Sequence, residues 1–204
     1  MVPNLSKTQL EATAQEWLKQ YGKYDGRMLR LEHSLEVARY RIEPVPGLAE
    51  IAEAYIPAKS HYIFVDETQY LSNSPRWRFT LAEELAHDLI HRPMFAGLNS
   101  EQIVAYQESL TDDEYSTIER QAKRLAGCLL MPEDVFIERF QHHWDTQRPS
   151  VTSDLKLLKY VIRQLNFDFA VSHHAIAVRA VYLDLIDQSQ FDDFMETLSP
   201  RNGN

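Results

Sequence analysis

The sequence predicts an α+β fold, mainly helical, with a small antiparallel sheet confined to residues 37–67. Three observations carry that prediction. From residue 78 onward, apolar residues recur almost everywhere at helical spacing. The segment His61-Tyr-Ile-Phe-Val-Asp66 is short and rich in aromatic and β-branched residues, as strands are. The chain of 204 residues is 44% hydrophobic and 25% charged, an ordinary globular composition with enough length for a sizeable core.

The elements follow in order. Residues 5–21 read as an amphipathic helix, with Ser6 as N-cap and Leu10, Ala14, Trp17 and Tyr21 along one face; Gly22 and Gly26 end it. Arg39 to Val45 alternates polar and apolar residues and then meets Pro44 and Pro46, which suggests a strand closing in a turn. Ala52 to Ile56 is a candidate short strand before the clear one at 61–66. Helices are expected at Arg78–His91, Asp112–Leu130, Glu133–Trp144, Ser153–Leu165 and Ser172–Ile186. Acidic residues open the second of these, Pro132 separates it from the third, and Ser172 is the candidate N-cap of the last. Residues 1–186 read as one domain, and 187–204 as a polar tail, partly disordered.

Composition excludes some function classes. A net charge of −9 argues against general affinity for nucleic acid or an anionic membrane, which needs clustered Lys and Arg. The single cysteine, Cys128, lies in an apolar run and reads as core; with no intrachain disulfide available the chain suits a reducing cytosol. The N-terminus lacks an apolar signal segment, and no apolar run approaches the roughly 20 residues of a membrane span, so a cytoplasmic location is expected.

The chemistry concentrates in Arg78-Phe-Thr-Leu-Ala-Glu-Glu-Leu-Ala-His-Asp-Leu-Ile-His91. A zinc-protease helix carries His-Glu-x-x-His, two ligands one turn apart with a glutamate base beside the first. Here Glu83 stands at the first histidine position, Glu84 at the base and His87 at the second ligand, with His91 one turn further on. With Glu83 at zero on a helix of 100° per residue, His87 falls at about 40°, His91 at about 80°, Glu84 at about 100° and Asp88 at about 140°. Two carboxylates and two imidazoles thus share one stripe that could bind a divalent metal, although a polar stripe opposite an apolar face is also what any surface helix shows. The next helix adds Glu119, at the edge of a face built from Ile118, Ala122, Leu125, Ala126 and Leu129. A half-buried carboxylate needs a cation: a metal held with the first helix, or an arginine such as Arg78 or Arg179.

Several segments together resemble the ImmA/IrrE family of metallopeptidases. They are Tyr62-Ile-Phe-Val-Asp66, Arg78-Phe-Thr-Leu-Ala-Glu-Glu-Leu-Ala-His87, Glu119-Arg-Gln-Ala-Lys-Arg-Leu-Ala-Gly-Cys-Leu-Leu-Met-Pro132 and Phe169-Ala-Val-Ser-His-His-Ala-Ile-Ala-Val-Arg179. The resemblance runs from about residue 37 to about residue 186 and implies a zincin-like domain. It implies Glu84 as general base, His87 as second metal ligand and Glu119 as third. Glu83 departs from the family's first ligand, and Lys123 and Leu125 depart from its usual Asn and Phe. Family members promote proteolysis of helix-turn-helix repressors in mobile elements or act in stress responses. The resemblance therefore implies a protein substrate, a transcriptional regulator, with no direct nucleic acid or membrane partner; it carries no oligomeric state.

Three site readings stay open. In the first, Glu83, His87 and Glu119 bind a metal and Glu84 acts on water. Two carboxylates make that site harder than a zinc site and move it toward manganese or iron. In the second, the register slides one turn: His87 and His91 are the ligands and Asp88 the base. In the third no metal is held, and the domain binds a regulator it does not cut. The pairs His142–His143 and His173–His174 are adjacent residues pointing about 100° apart, so neither pair chelates one ion.

Overall fold

The computed structural model describes residues 2–26, 28–57, 60–72 and 74–198. The fold is mainly helical with small sheets, as expected. The chain forms two compact units, 1–130 and 131–204.

In the first unit, α1 (Lys7–Tyr21) begins at a capping box: the Ser6 hydroxyl accepts from the Gln9 N–H while the Gln9 side chain accepts from the Ser6 N–H. Leu10, Ala14, Trp17 and Leu18 are its buried face. It stops at Gly22, whose N–H donates to the Leu18 carbonyl. A Cβ there would stand 2.5 Å from that carbonyl oxygen, so only glycine fits. A two-residue hairpin follows, β1 (Tyr24–Asp25) against β2 (Met28–Leu29), then α2 (Leu31–Val37). The sequence reading gave neither.

β3 (Arg41–Val45), β4 (Ala54–Tyr55) and β5 (Tyr62–Asp66) occupy the expected span, in the order β3-β5-β4. The sheet is mixed rather than antiparallel. β4 runs antiparallel to β5, but β3 pairs with β5 in parallel, with Ile42 opposite Ile63 and Pro44 opposite Val65. Alternation along a strand does not encode its direction; the connection does. After β3 the chain turns at Gly47, in the left-handed region at φ 74°, passes a 3-10 turn at Leu48–Glu50 and reverses again after β4. That connection is long enough for a parallel crossover. Ile63 and Val65 are fully buried on one face of the central strand. Asp66 closes it: Oδ1 accepts from the Gln69 N–H, which caps α3 (Glu67–Ser72), and Oδ2 accepts from the Ala49 N–H.

α4 (Pro75–His91) starts three residues earlier than expected, because Ser74 caps it by accepting from the Trp77 N–H and Pro75 takes the first turn. A 3-10 segment (Arg92–Phe95) and α5 (Ser100–Glu108) lead to α6 (Asp112–Leu130). α4 packs along α6, and α1 also lies against α6. Ala82 and Ala86 of α4, and Ala122 and Ala126 of α6, are all fully buried. Small side chains on facing helices let the backbones approach, which brings the polar edges of both helices together.

The second unit is helical: α7 (Glu133–Gln147), α8 (Asp154–Phe169), α9 (His173–Tyr182) and α10 (Gln188–Glu196). Phe136 stacks on Phe169 with centroids 5.6 Å apart. Asp168 joins α8 to α7 by accepting from the Arg139 guanidinium at 3.0 and 3.3 Å, with His143 Nε2 at 2.8 Å. Within the segment expected as a polar tail, Gln188–Glu196 forms a helix. Asp187 and Gln190 form a capping box, and Phe194, 3% exposed, anchors α10. The rest of that expected tail, 199–204, lies outside the described residues. Among the described residues no helix is long and apolar enough to cross a membrane.

Candidate metal centre

Every sequence-predicted site residue lies in the first unit, on α4 and α6. Glu83, His87 and Glu119 each offer one ligand atom, and those atoms lie within 4.8 Å of one another. His87 Nε2 stands 3.5 Å from Glu119 Oε1. Two ligands each about 2.1 Å from a tetrahedral ion stand about 3.4 Å apart, so this spacing fits a shared divalent cation.

Burial sets the electrostatics. Desolvation pushes the Glu84 carboxyl up to about 8, and the neighbouring charges of Glu83 and Glu119 push the same way; the Ile56 N–H, which donates to it, opposes them. Desolvation likewise raises Glu83 to about 7, against the pull of Lys123. His87 and His91 both fall to about 4, chiefly because burial disfavours the imidazolium. At neutral pH both histidines are therefore neutral, the form in which imidazole ligates metals.

His91 is not among the three converging residues. It is 3% exposed; its Nδ1 faces His87 Nδ1 at 3.1 Å and its Nε2 faces Gln121 Oε1 at 3.2 Å. Asp88, the base of the slid register, is engaged by the Tyr40 hydroxyl and the Arg92 guanidinium. The cation beside Glu119 is neither arginine named from the sequence. Arg78 donates to the Leu29 carbonyl and Arg179 to the Met131 carbonyl. Lys123 is the cation instead: its Nζ lies 3.7 Å from Glu119 and 3.8 Å from Glu83. From the sequence Lys123 stands out only as a departure from the family's usual Asn, and nothing there marks Gln121. The Glu119–Lys123 spacing, an i, i+4 acid–base pair, was the available signal for the first.

Residues 48–180, more than half of the chain, match the profile of the peptidase M78 family, described as the IrrE N-terminal-like domain. The chain belongs to this family. No curated protein matches it significantly. Among solved structures, a Mycobacterium tuberculosis transcriptional regulator matches at 17% identity and a TM-score of 0.54. The match covers 85% of this chain and 46% of that one, so the chain spans less than half of the regulator's length. At that identity the likeness shows the fold alone. The M78 family implies a metal, and the donor set of Glu83, His87 and Glu119 fits a divalent one. Two carboxylate oxygens and one imidazole nitrogen form a harder set than the two-histidine zinc site, nearer the preference of manganese or iron.

Proposed function

We propose that the protein is a metal-dependent endopeptidase of the M78 type in which a carboxylate replaces the first histidine ligand. The observation that carries this reading is the meeting of His87 Nε2 and Glu119 Oε1 at 3.5 Å with Glu83 in the same cluster. With its proton on Nδ1, the neutral imidazole turns a lone pair toward the carboxylate oxygen, an arrangement that a cation between them relieves. Glu83, His87 and Glu119 would hold the ion, and Glu84 would stay outside that set as the general base. A divalent ion bound there, zinc in most of the family and manganese or iron by donor hardness here, would supply Lewis acidity toward the scissile carbonyl.

The chain's own residues do the rest. Glu84 takes a proton from the attacking water on its carboxylate and delivers it to the leaving amine. Burial holds Glu84 protonated near neutral pH; a divalent ion held by the neighbouring residues would favour its basic form. The Ile56 N–H donates to the same carboxyl. The substrate we infer is a segment of a transcriptional regulator with a helix-turn-helix fold, on the strength of the ImmA/IrrE resemblance. Such a role in a mobile element or a stress response belongs in the cytoplasm, which the lone cysteine suits.

A second reading rests on Lys123. Its ammonium already bridges the two carboxylates that a metal would need, and could substitute for the ion in a regulator-binding protein that does not cut. The test that separates them is Glu84→Gln in metal-loaded protein incubated with a cognate regulator. The peptidase reading expects cleavage to fall by about 100- to 10,000-fold with metal content unchanged. Equal cleavage by both proteins removes Glu84 from its role, and absence of metal from the parent protein supports the binding module.

A further inference from the structure

A chain of hydrogen bonds leads from the N-terminal segment to the candidate metal centre, and its proton positions can be deduced from one end. The Pro3 main-chain oxygen can only accept, so the Gln121 Nε2 group, 2.7 Å away, donates to it. That fixes the amide: Gln121 Oε1 is the atom facing His91, and it too can only accept. His91 Nε2, at 3.2 Å, must therefore carry a proton. Between the rings, His91 Nδ1 and His87 Nδ1 stand 3.1 Å apart, a distance that allows one proton and not two. If His91 held it, His91 would be a cation, 3% exposed, with an amide and an imidazole as its hydrogen-bond partners. Burying a charge so poorly compensated is costly. The proton belongs to His87 Nδ1, and His87 Nε2 is then bare and turned toward Glu119.

We infer that Gln121 and His91 are positioning residues that hold His87 in its Nδ1–H tautomer, with Nε2 free to ligate. The inference builds on the metal reading of the site, in which His87 must present an unprotonated Nε2. Free imidazole favours the opposite tautomer, so without the relay part of the population would carry its proton on the nitrogen that faces Glu119. Outer partners of this kind typically change metal affinity by about 10- to 100-fold. Gln121 contributes from α6 and His91 from α4, so the relay also ties ligand readiness to the packing of the two helices and to the seating of residues near Pro3.

The test is nitrogen-15 NMR of the histidine rings in metal-free protein at neutral pH, comparing the parent with Gln121→Leu and His91→Phe. The parent should show His87 protonated at Nδ1 and bare at Nε2, with His91 in the reverse arrangement. In Gln121→Leu a share of His87 should move to the Nε2–H form, and in His91→Phe a larger share. Manganese titration of the same proteins should show an affinity loss of about 10- to 100-fold with unchanged stoichiometry. An Nε2–H tautomer of His87 in the parent overturns the inference, as does an unchanged tautomer population in folded Gln121→Leu. The parent spectrum alone decides the point if a variant fails to fold. Because the tautomer is read without metal, its failure is separable from failure of the peptidase reading, which is marked by absent metal binding.

Discussion

Replacing Lys123 with asparagine should tighten divalent metal binding. In the metal-free protein the Lys123 ammonium lies 3.8 Å from Glu83 and 3.7 Å from Glu119. A metal that takes both carboxylates must overcome that attraction and then tolerates a positive charge beside it. At these distances Coulomb's law gives about 1 kcal/mol per pair in a water-like dielectric and about 4 kcal/mol at an effective dielectric of 20. Lys123 is 57% exposed, so the lower figure applies, and measured exposed pairs contribute about 0.2–1 kcal/mol each. Two pairs then amount to about 0.4–2 kcal/mol, which corresponds to roughly a 2- to 30-fold tighter dissociation constant in Lys123→Asn. Calorimetric titration of chelator-stripped protein with manganese, at low and high salt, measures this directly. The gain should shrink as salt screens the exposed ammonium. An unchanged or weaker affinity in the variant would refute the idea that Lys123 competes for the site.

Glu83→His should restore the imidazole-rich donor set and shift preference toward zinc over manganese, by about tenfold or more in the ratio of affinities measured by competition. Equal preference in parent and variant would show that Glu83 is not a ligand. In the second unit, burial alone would raise the Asp168 pKa, but its hydrogen bonds from Arg139 and His143 outweigh that and hold the carboxyl below its ordinary value. A depressed carboxyl contributes stability that is fully present above the unfolded value of 3.8 and is lost as pH falls through the folded one. Asp168→Asn should cost about 2 kcal/mol in urea unfolding at neutral pH and flatten the acid limb below pH 3.8. A parent and variant that unfold alike at both pH values would contradict this.

The longer helices were legible because their signals are local, whereas the short α2, α3 and α5 were not. Ser6, Ser153 and Ser172 cap helices where hydroxyls precede apolar periodicity, and Asp112–Leu130 ends against Pro132. What escaped depends on pairing or on context. The direction of β3 relative to β5 is set by the path between them, not by either strand's residues. The helix at Gln188–Glu196 was hidden by polar composition, although Asp187 and Gln190 spell a capping box before Phe191 and Phe194. At the site, helical angles placed Glu83 and His87 on one stripe, and the second helix pointed to Glu119. They also placed His91 there, because an angle on one helix says nothing about what faces it from another. Gln121 on α6 takes one ring nitrogen of His91 and His87 takes the other. The identity of Glu119's cation was equally invisible until Lys123 was seen to reach across to Glu83.

The most direct test of the metal centre is elemental analysis of protein purified without chelator and then reconstituted with manganese, iron or zinc under anaerobic conditions. The metal reading predicts about one equivalent of one divalent ion per chain, lost in His87→Ala and in Glu119→Ala and retained in Glu84→Gln. Less than about a tenth of an equivalent of every metal after reconstitution would contradict it and leave Lys123 as the cation of the site.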